Sequence, residues 1–358
     1  MSSSHKSVVC FILFLFATGL VAAQTYTVTD MGVLSGDRSS LAYFVNSSGQ
    51  VTGCSDNSSS QSTLCQGDSP SDAYLWSSKT GLMDLGNLPG FDSSVGVTVN
   101  DSAEVVGFSE NVQTGVYYGF VWTKESGMVE LAPLPGGIAS VAAANNDKGV
   151  ITGYSTMTNG DVHAVIWKAS GETYQITDLG TFPGSPYTYA YDINQNSQVV
   201  GEAYNQAGTR YTAVLWSSVT GWKNLGTLPN GNNSIADWIN DYGEAVGAST
   251  TTQYPNGVAV RWDTSEEIHS LGTLPGGTQS YAGGVNDLGQ IVGESTVSGG
   301  ELHACIWENG TLQDLNNLIA SGSGWVLNHA SAINRSGQIS GFGTINSENH
   351  GFLLTPIR

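Results

Sequence analysis

Short runs of alternating apolar and polar residues cover the chain from residue 25 onward, and Gly, Asn or Pro separates each run from the next. This alternation places every second side chain on one face of an extended segment, which is typical of β-strands that bury one side. No segment in this part shows a sustained helical period. The pattern predicts an all-β protein.

The strand-like runs belong to an internal repeat. Its clearest part reads Asn-x-x-[Gly/Ala/Ser]-x-[Val/Ile/Ala]-x-Gly, and successive asparagines lie 46 to 54 residues apart. An apolar run that ends in Trp follows, and then a run of the type Asp-Leu-Gly. Four strand-like runs in about 46 residues match one blade of a β-propeller. The seven copies are Asn46–Gly53, Asn100–Gly107, Asn146–Gly153, Asn194–Gly201, Asn240–Gly247, Asn286–Gly293 and Asn334–Gly341.

The two ends of the chain complement each other. The last repeat stops after residues 351–357 and lacks the Asp-Leu-Gly run that ends the others, whereas residues 26–32 supply such a run with no preceding partner. We therefore predict that residues 24–358 form a single seven-bladed β-propeller with four-stranded blades. The N-terminal strand would complete the last blade, which removes free sheet edges. An open solenoid is the alternative.

The repeat resembles that of the HAF-repeat extracellular proteins, which are named for a His-Ala-Phe triplet before the Trp strand. The resemblance covers residues 25–354, although no strict His-Ala-Phe is present. It implies an exported β-propeller-like protein and adds no mechanism. The degenerate triplets are His163-Ala164-Val165, His303-Ala304-Cys305, His350-Gly351-Phe352 and Asp72-Ala73-Tyr74.

Residues 1–23 have the pattern of a secretory signal peptide. Lys6 precedes the apolar run Val8–Leu20, and small residues end at Ala23, so cleavage before Gln24 is expected. The run is too short for a bilayer-spanning helix, although an uncleaved anchor is the alternative. We predict a secreted protein, extracellular or in the cell envelope, that is not an integral membrane protein.

The charge balance narrows the partners. Thirty acidic residues against eleven basic ones give a formal net charge of −19. Such a chain repels phosphate backbones, which argues against nucleic-acid binding. We expect a monomer whose partner is a polysaccharide or an extracellular protein.

Three cysteines follow the predicted signal peptide. Cys54 and Cys65 lie in one polar loop, and in an exported protein this predicts a disulfide. Cys305 lies in an apolar run and is expected to be a buried free thiol. No Cys/His spacing suits a zinc site.

The repeated residues have structural explanations that compete with functional ones. The Asn-Asp pairs at 100–101, 146–147, 240–241 and 286–287 offer oxygen ligands for calcium, but Asn with a Gly three residues on is also good hairpin-turn chemistry. We favour the structural interpretation, in which these residues form hairpin turns, and we expect no cofactor and no metal. Calcium binding is the alternative. The repeated Trp residues are expected to pack between blades, and His163, His303 and His350 to cap strands.

The variable loops point to a binding side. In a four-stranded meander, the Leu-Pro-Gly linkers and the loops between the second and third strands lie on the same side, and function usually sits on variable loops held by a rigid scaffold. These loops carry hydroxyls, amides and Tyr rings, which suit a glycan or a protein surface. We predict a binding or scaffold module without a catalytic constellation. Its candidate ligand residues are Tyr117, Tyr118, Tyr154, Tyr204, Tyr254, Asp92, Trp238 and His329.

Two other functions stay open. An extracellular hydrolase or lyase would have its site in the central channel on the same side, with Asp92, Asp237 and His329 as candidates for acid chemistry. A purely structural envelope protein would need no soluble ligand.

Overall fold

The computed structural model describes residues 25–57, 65, 70–171 and 173–357, so the predicted signal peptide lies outside it. In this part the chain forms 28 β-strands and one 3₁₀ helix, Leu315–Asn317, and no α-helix. The all-β prediction is confirmed. Among the same residues we find no helix with the length and apolar character needed to cross a membrane.

After β1 (Tyr26–Asp30), the strands follow one another as four-stranded antiparallel units, which we number 1 to 7. Unit 1 contains β2 (Ser39–Val45), β3 (Val51–Asp56), β4 (Ser71–Ser77) and β5 (Gly81–Asp84), and unit 2 contains β6 (Ser93–Val99), β7 (Val105–Asn111), β8 (Val116–Thr123) and β9 (Gly127–Leu131). Unit 3 contains β10 (Gly137–Asn145), β11 (Val150–Met157), β12 (Val162–Ser170) and β13 (Thr173–Gly180), and unit 4 contains β14 (Tyr187–Ile193), β15 (Val199–Tyr204), β16 (Tyr211–Ser217) and β17 (Gly221–Asn224).

The second half of the chain repeats this plan. Unit 5 contains β18 (Ser234–Ile239), β19 (Ala245–Ser249), β20 (Val258–Trp262) and β21 (Ile268–Gly272), and unit 6 contains β22 (Ser280–Val285), β23 (Ile291–Thr296), β24 (Leu302–Glu308) and β25 (Thr311–Asp314). Unit 7 contains β26 (Trp325–Ile333), β27 (Ile339–Ile345) and β28 (Glu348–Pro356). Units 3 and 4 are joined into one eight-stranded sheet by a single parallel residue pair, Val162 with Tyr187.

The fourth strand of unit 7 comes from the other end of the chain. β1 pairs with β28 in antiparallel register from Tyr26–Pro356 to Asp30–Phe352. Tyr26 is 2% exposed and packs in the apolar cluster of unit 7 with Phe352. A second cluster joins Leu353 of unit 7 to Ala42 of unit 1. The first and last units are therefore in contact.

A β-bulge in each inner strand explains the glycine of the repeat. The register of every inner strand shifts three residues before the signature Asn. The shift places a backbone carbonyl of the inner strand against the signature Gly. A Cβ at Gly201 would lie 1.8 Å from the backbone oxygen of Tyr189, and a Cβ at Gly53 would lie 1.9 Å from that of Leu41. Only glycine fits there. The bulged residues are Tyr43, Val97, Ala143, Tyr191, Asp237, Gly283 and Ser331.

The signature asparagines form hairpin turns and also link the units. Within its own turn, the Asn46 side-chain oxygen accepts hydrogen bonds from the N–H groups of Ser48 and Gln50. Its amide donates to the backbone oxygen of Asn100 in the next unit, at 3.0 Å. The same donation continues through Asn100, Asn146, Asn194, Asn240 and Asn286, and Asn334 donates back to the Asn46 oxygen at 2.9 Å. The seven asparagines thus form a cyclic chain of hydrogen bonds.

The repeated Trp residues pack between units, as expected. Trp167 and Trp262 are 1% exposed. Their indole N–H groups donate to Ala132 and Leu225, backbone oxygens of the preceding unit, at 2.9 and 2.8 Å. In unit 4 this donor is Trp222 of the outer strand instead, which bonds to the Leu179 oxygen at 3.0 Å.

Candidate functional site

The inner strands of all seven units line one central cavity of about 200 Å³ at the side of the Asn turns. Phe44 of unit 1 and Trp238 of unit 5 stack within it, with ring centroids 5.5 Å apart. Since these units are not neighbours, the two rings meet across the cavity. Trp238 therefore lies towards the Asn-turn side and not on the Leu-Pro-Gly side, where the sequence analysis placed it.

Five tyrosines of units 3 and 4 form a continuous surface towards the Leu-Pro-Gly side. Tyr189 is its centre, with ring centroids 4.9 Å from Tyr154, 5.9 Å from Tyr204 and 6.2 Å from Tyr191. Tyr211 extends the surface from Tyr204, at 5.3 Å. All five side chains are half-buried. Two of them, Tyr154 and Tyr204, were predicted as ligand residues.

A shallow cleft of about 220 Å³ adjoins the outer end of this surface. Tyr204 and Tyr211 form one wall, and the linker residues Phe182 and Pro183 form another. Arg210 lies at the exposed rim. We name the five tyrosines with this cleft the tyrosine surface.

A buried carboxylate lies beneath the tyrosine surface. Glu202 pairs with Tyr189 across β14 and β15 and is only 4% exposed. It accepts a hydrogen bond of 2.6 Å from the Tyr191 hydroxyl. Burial raises the pKa of Glu202, while hydrogen bonds from Tyr191 and Tyr204 partly oppose the rise. The same burial, with the Glu202 charge nearby, raises the pKa of Tyr191, so the tyrosine keeps its proton.

A second carboxylate–tyrosine pair lies beside the first. The Tyr281 hydroxyl of unit 6 donates to Asp237, the bulged residue of unit 5. Burial raises the pKa of Asp237 to about 7, with smaller contributions from the charges of Glu202 and Asp192. Asp192 accepts backbone N–H groups from Ile193 and from Ile239 of the next unit, and burial raises its pKa to about 7 as well. Burial thus raises the pKa of two neighbouring carboxyl groups near the centre of the molecule.

We expect the protein to lose stability as pH rises from 5 to 8. An unfolded Asp titrates near 4, so the folded state binds more protons than the unfolded state between about pH 4 and 7. The stabilisation is complete below the unfolded pKa and is lost as pH rises through the folded pKa of about 7. Thermal unfolding across this range should show a loss of the order of a few kcal/mol. Asp237→Asn, which keeps an acceptor for Tyr281, should flatten the profile.

The control for this prediction is Asp92→Asn, because Asp92 is exposed. This variant should keep the pH slope of the wild type. A wild-type protein that gains stability between pH 5 and 8, or an Asp237→Asn variant with an unchanged slope, would contradict the prediction.

The opposite wall of the inner strands is apolar. Cys54 and Cys65 form a disulfide, with Cα atoms 6.2 Å apart, and both half-cystines pack in a buried cluster with Leu41 and Val95. Tyr43, Val97, Phe108 and Phe342 pack against the same cluster. The disulfide thus holds Cys65 beside the inner strands of units 1 and 2. Cys305 is a buried free thiol.

His329 lies between the two walls. Its Nδ1 is 2.8 Å from a Glu294 oxygen, and its ring stacks on Phe342 with centroids 4.9 Å apart. Burial and the charges of Asp237, Glu202 and Glu294 raise the pKa of Tyr281.

The other predicted ligand residues are more scattered. Tyr117 lies near enough to Tyr154 and Tyr189 that it helps to raise their pKa values. Tyr118 packs against Phe91 in the cluster of unit 2. Tyr254 packs against the apolar cluster of units 4 and 5. Asp92 is exposed and accepts the backbone N–H of Val112, so it braces the loop of unit 2.

The triplet histidines each contact a carboxylate of the neighbouring outer strand. His163 contacts Asp178, His303 contacts Asp314, and His350 contacts Asp30, all at 2.7 to 3.1 Å. Each Asp also accepts a backbone N–H two residues on. The His350 contact lowers the pKa of Asp30 against the opposing effect of burial, and Asp30 raises the pKa of His350.

The carboxylates of the Asn-Asp turns bind the neighbouring turns. Asp101 accepts the N–H of Ser47 at 2.9 Å, and Asp147 accepts that of Asp101 at 2.8 Å. Asp241 and Asp287 do the same for Gln195 and Asp241. The turns therefore have a structural role, whereas calcium binding stays an untested alternative.

Sequence reasoning missed Tyr189, Tyr191, Glu202 and Tyr281. The three tyrosines lie at two positions of the repeat, three and five residues before the signature Asn and at or next to the β-bulge, whereas Glu202 directly follows the signature Gly201. The candidate residues were sought in the variable loops and not in the strands. A β-bulge cannot be predicted from the alternation of apolar and polar residues in a strand.

No protein-family model and no curated protein matches this sequence. Among solved structures, the chain is similar to puromycin hydrolase: TM-scores are 0.57 for a mutant complexed with PGG and 0.52 for the enzyme itself, at 14% and 13% identity over 87% and 88% of this chain. The chain spans about half the length of that enzyme, 50% and 51% in the two structures. A weaker likeness, TM-score 0.47 at 12% identity, covers 93% of this chain and 100% of virginiamycin B lyase from Staphylococcus aureus. At such identities the likeness to puromycin hydrolase shows the fold alone: this all-β chain has a β-propeller scaffold.

Proposed function

We propose that the chain is an exported, closed seven-bladed β-propeller that acts as a binding or scaffold module. The tyrosine surface would hold a glycan or protein partner at the channel mouth on the Leu-Pro-Gly side. Three observations support the closed ring. They are the β1–β28 pairing, the hydrogen bond from Asn334 back to Asn46, and the cavity lined by all seven inner strands.

The tyrosine surface is the observation that carries the binding proposal. Its five rings are in contact and half-buried, so their arrangement is set before a ligand arrives. A preorganised aromatic surface loses little entropy on binding, and Tyr combines an apolar ring with a polar hydroxyl. Loop amides and hydroxyls such as Asn205, Thr212 and Asn232 surround the adjoining cleft and suit the hydroxyls of a sugar.

A thermal-shift panel of cell-surface and plant polysaccharides on residues 24–358 tests the proposal. A ligand at one hundred times its Kd should add about 2.7 kcal/mol of stability. Tyr189→Ala should abolish the shift because it removes the centre of the surface. Tyr242→Ala is the matched control, since Tyr242 is 63% exposed on an Asn turn at the other side. It should keep the full shift.

Two results would count against the glycan proposal. A flat panel would leave only a protein partner, which pull-downs from the cell envelope would then have to supply. A shift that Tyr242→Ala removes and Tyr189→Ala retains would place the ligand on the Asn-turn side.

A second candidate function is an extracellular hydrolase or lyase. The observation that favours it is Asp237, whose pKa of about 7 leaves it able to give or take a proton at neutral pH. Asp92 does not join this group, because it is exposed on unit 2. Turnover of a panel polysaccharide that is lost in Asp237→Asn, with binding retained, would favour the enzyme over the binding module.

A further inference from the structure

We propose that the ligand of the tyrosine surface carries a positive charge, and that it is an amino sugar with a protonated amine. This inference rests on the proposed glycan-binding function and names the class of glycan. It follows from the aromatic surface and the carboxylates beneath it.

The aromatic rings of the tyrosine surface can attract a cation. Tyr189 contacts three other rings, two of them nearly edge-on at interplanar angles of 78° and 75°. In this arrangement, the faces and edges of several rings surround Tyr189. A cation within about 6 Å of an aromatic centroid is attracted by the ring quadrupole, and the attraction grows when the site is partly desolvated.

Carboxylates lie beneath and beside the aromatic rings. Glu202 bonds to Tyr191 directly beneath the surface, and Asp237 bonds to Tyr281 beside it. Among the described residues, the ion pairs involve other carboxylates, and none includes Glu202 or Asp237. Glu202 is only 4% exposed, and a buried carboxylate without a cation is costly; an ammonium bound over the tyrosines would offset this cost.

The same charges argue against an anionic ligand. The chain has a formal net charge of −19, and Glu202, when ionised, places part of this charge directly beneath the surface. Arg210 is a cation that could attract an anionic ligand, but it lies at the rim of the adjoining cleft, beyond Tyr204 and Tyr211. A ligand with a cation over Tyr189 and sugar hydroxyls along the cleft would fit both parts of the tyrosine surface.

The size of the surface favours a sugar over a single lysine side chain. Four ring contacts join Tyr154, Tyr189, Tyr191, Tyr204 and Tyr211 into one surface. Five aromatic rings offer stacking area for more than one pyranose ring, whereas a lysine needs only one ring and one carboxylate. An oligosaccharide with repeated amines uses the whole surface.

A matched pair of oligosaccharides tests the inference. Titration calorimetry at pH 6 would compare a glucosamine tetramer, whose amines are charged, with an N-acetylglucosamine tetramer, whose amides are neutral. We expect the glucosamine tetramer to bind at least ten-fold more tightly. Glu202→Gln keeps an acceptor for Tyr191 and removes the charge, so it should erase this preference. The readout is the ratio of the two affinities and not either affinity alone, because Glu202 also holds the Tyr191 hydroxyl. Glu125→Gln, at an exposed turn, should keep the preference and controls for net charge.

Each other outcome overturns the inference in a recognisable way. Equal affinities for the two tetramers would remove the charge requirement and leave the glycan proposal intact. A preference that Glu125→Gln weakens as much as Glu202→Gln would come from diffuse charge. A tetralysine peptide that binds as tightly as the glucosamine tetramer, with the same dependence on Glu202, would assign the site to a protein partner. If neither tetramer binds, the inference fails. The proposed function fails with it only when every polysaccharide of the panel is also inactive.

Discussion

Removal of β1 is expected to abolish cooperative folding of the chain. A chain that starts at residue 33 loses the fourth strand of unit 7, and with it the Tyr26 ring and the backbone pairing to β28. Truncation of a buried aromatic side chain alone costs about 3–5 kcal/mol, which is a large part of the stability of a typical protein. β28 would also become an unprotected strand edge. Circular dichroism melts and gel filtration, compared with the chain that starts at Gln24, measure the effect.

Two further samples keep this prediction testable if the truncated chain does not fold. A synthetic peptide of residues 25–32, added in trans, should restore a cooperative transition. In the full chain, Tyr26→Ala should destabilise strongly, whereas Thr29→Ala, an exposed position of the same strand, should change the free energy of unfolding by less than about 1 kcal/mol. A truncated chain that melts like the reference would contradict the role of β1.

Asn334→Ala is expected to lower the free energy of unfolding by about 3–5 kcal/mol. The Asn334 side chain donates to the Asn46 oxygen and to Gln338, and it accepts the N–H groups of Ser336 and Gln338. Each such bond contributes about 1 kcal/mol, and a buried partner left without one costs more. The bond to Asn46 also joins the last unit to the first. Urea unfolding of the variant gives the measurement.

Asn159→Ala is the matched control for Asn334→Ala. Asn159 also bonds within its own turn, to Asp161, but it is exposed and links no second unit. Water replaces its bonds when the side chain is removed, so the loss should stay below about 1 kcal/mol. Equal losses for the two variants would show that the cyclic chain of asparagines adds nothing beyond ordinary turns.

The repeat made most of the scaffold predictable. Alternation located the strands, and the spacing of the signature Asn and Trp residues predicted the four-stranded units. The unpaired Asp-Leu-Gly run at residues 26–32 predicted that β1 pairs with the end of the chain. These inferences succeed because each unit is a local meander, whose pairing depends on short-range pattern and turn residues.

The site was less predictable, for a physical reason. Tyr118 and Tyr254 were expected in exposed variable loops, yet both pack against apolar clusters, and Tyr118 lies within β8. Tyr191 is the bulged residue of its strand, and a bulge leaves no mark in the alternation, whereas Asp237, also a bulged residue, was a candidate only for the enzyme alternative. Contacts between non-adjacent units, such as Phe44 with Trp238, depend on how all the units pack together. No local pattern encodes that distance.

The location of the ligand is the central claim, and hydrogen exchange measures it most directly. The wild-type protein would be compared with and without the glycan that gives the largest thermal shift. We predict slower exchange in the linker 182–186 and the loop 205–210, which border the tyrosine surface, and unchanged exchange in the Asn turns. Protection confined to the turns around Asn100, Asn240 and Asn334 would place the ligand on the opposite side and contradict the account.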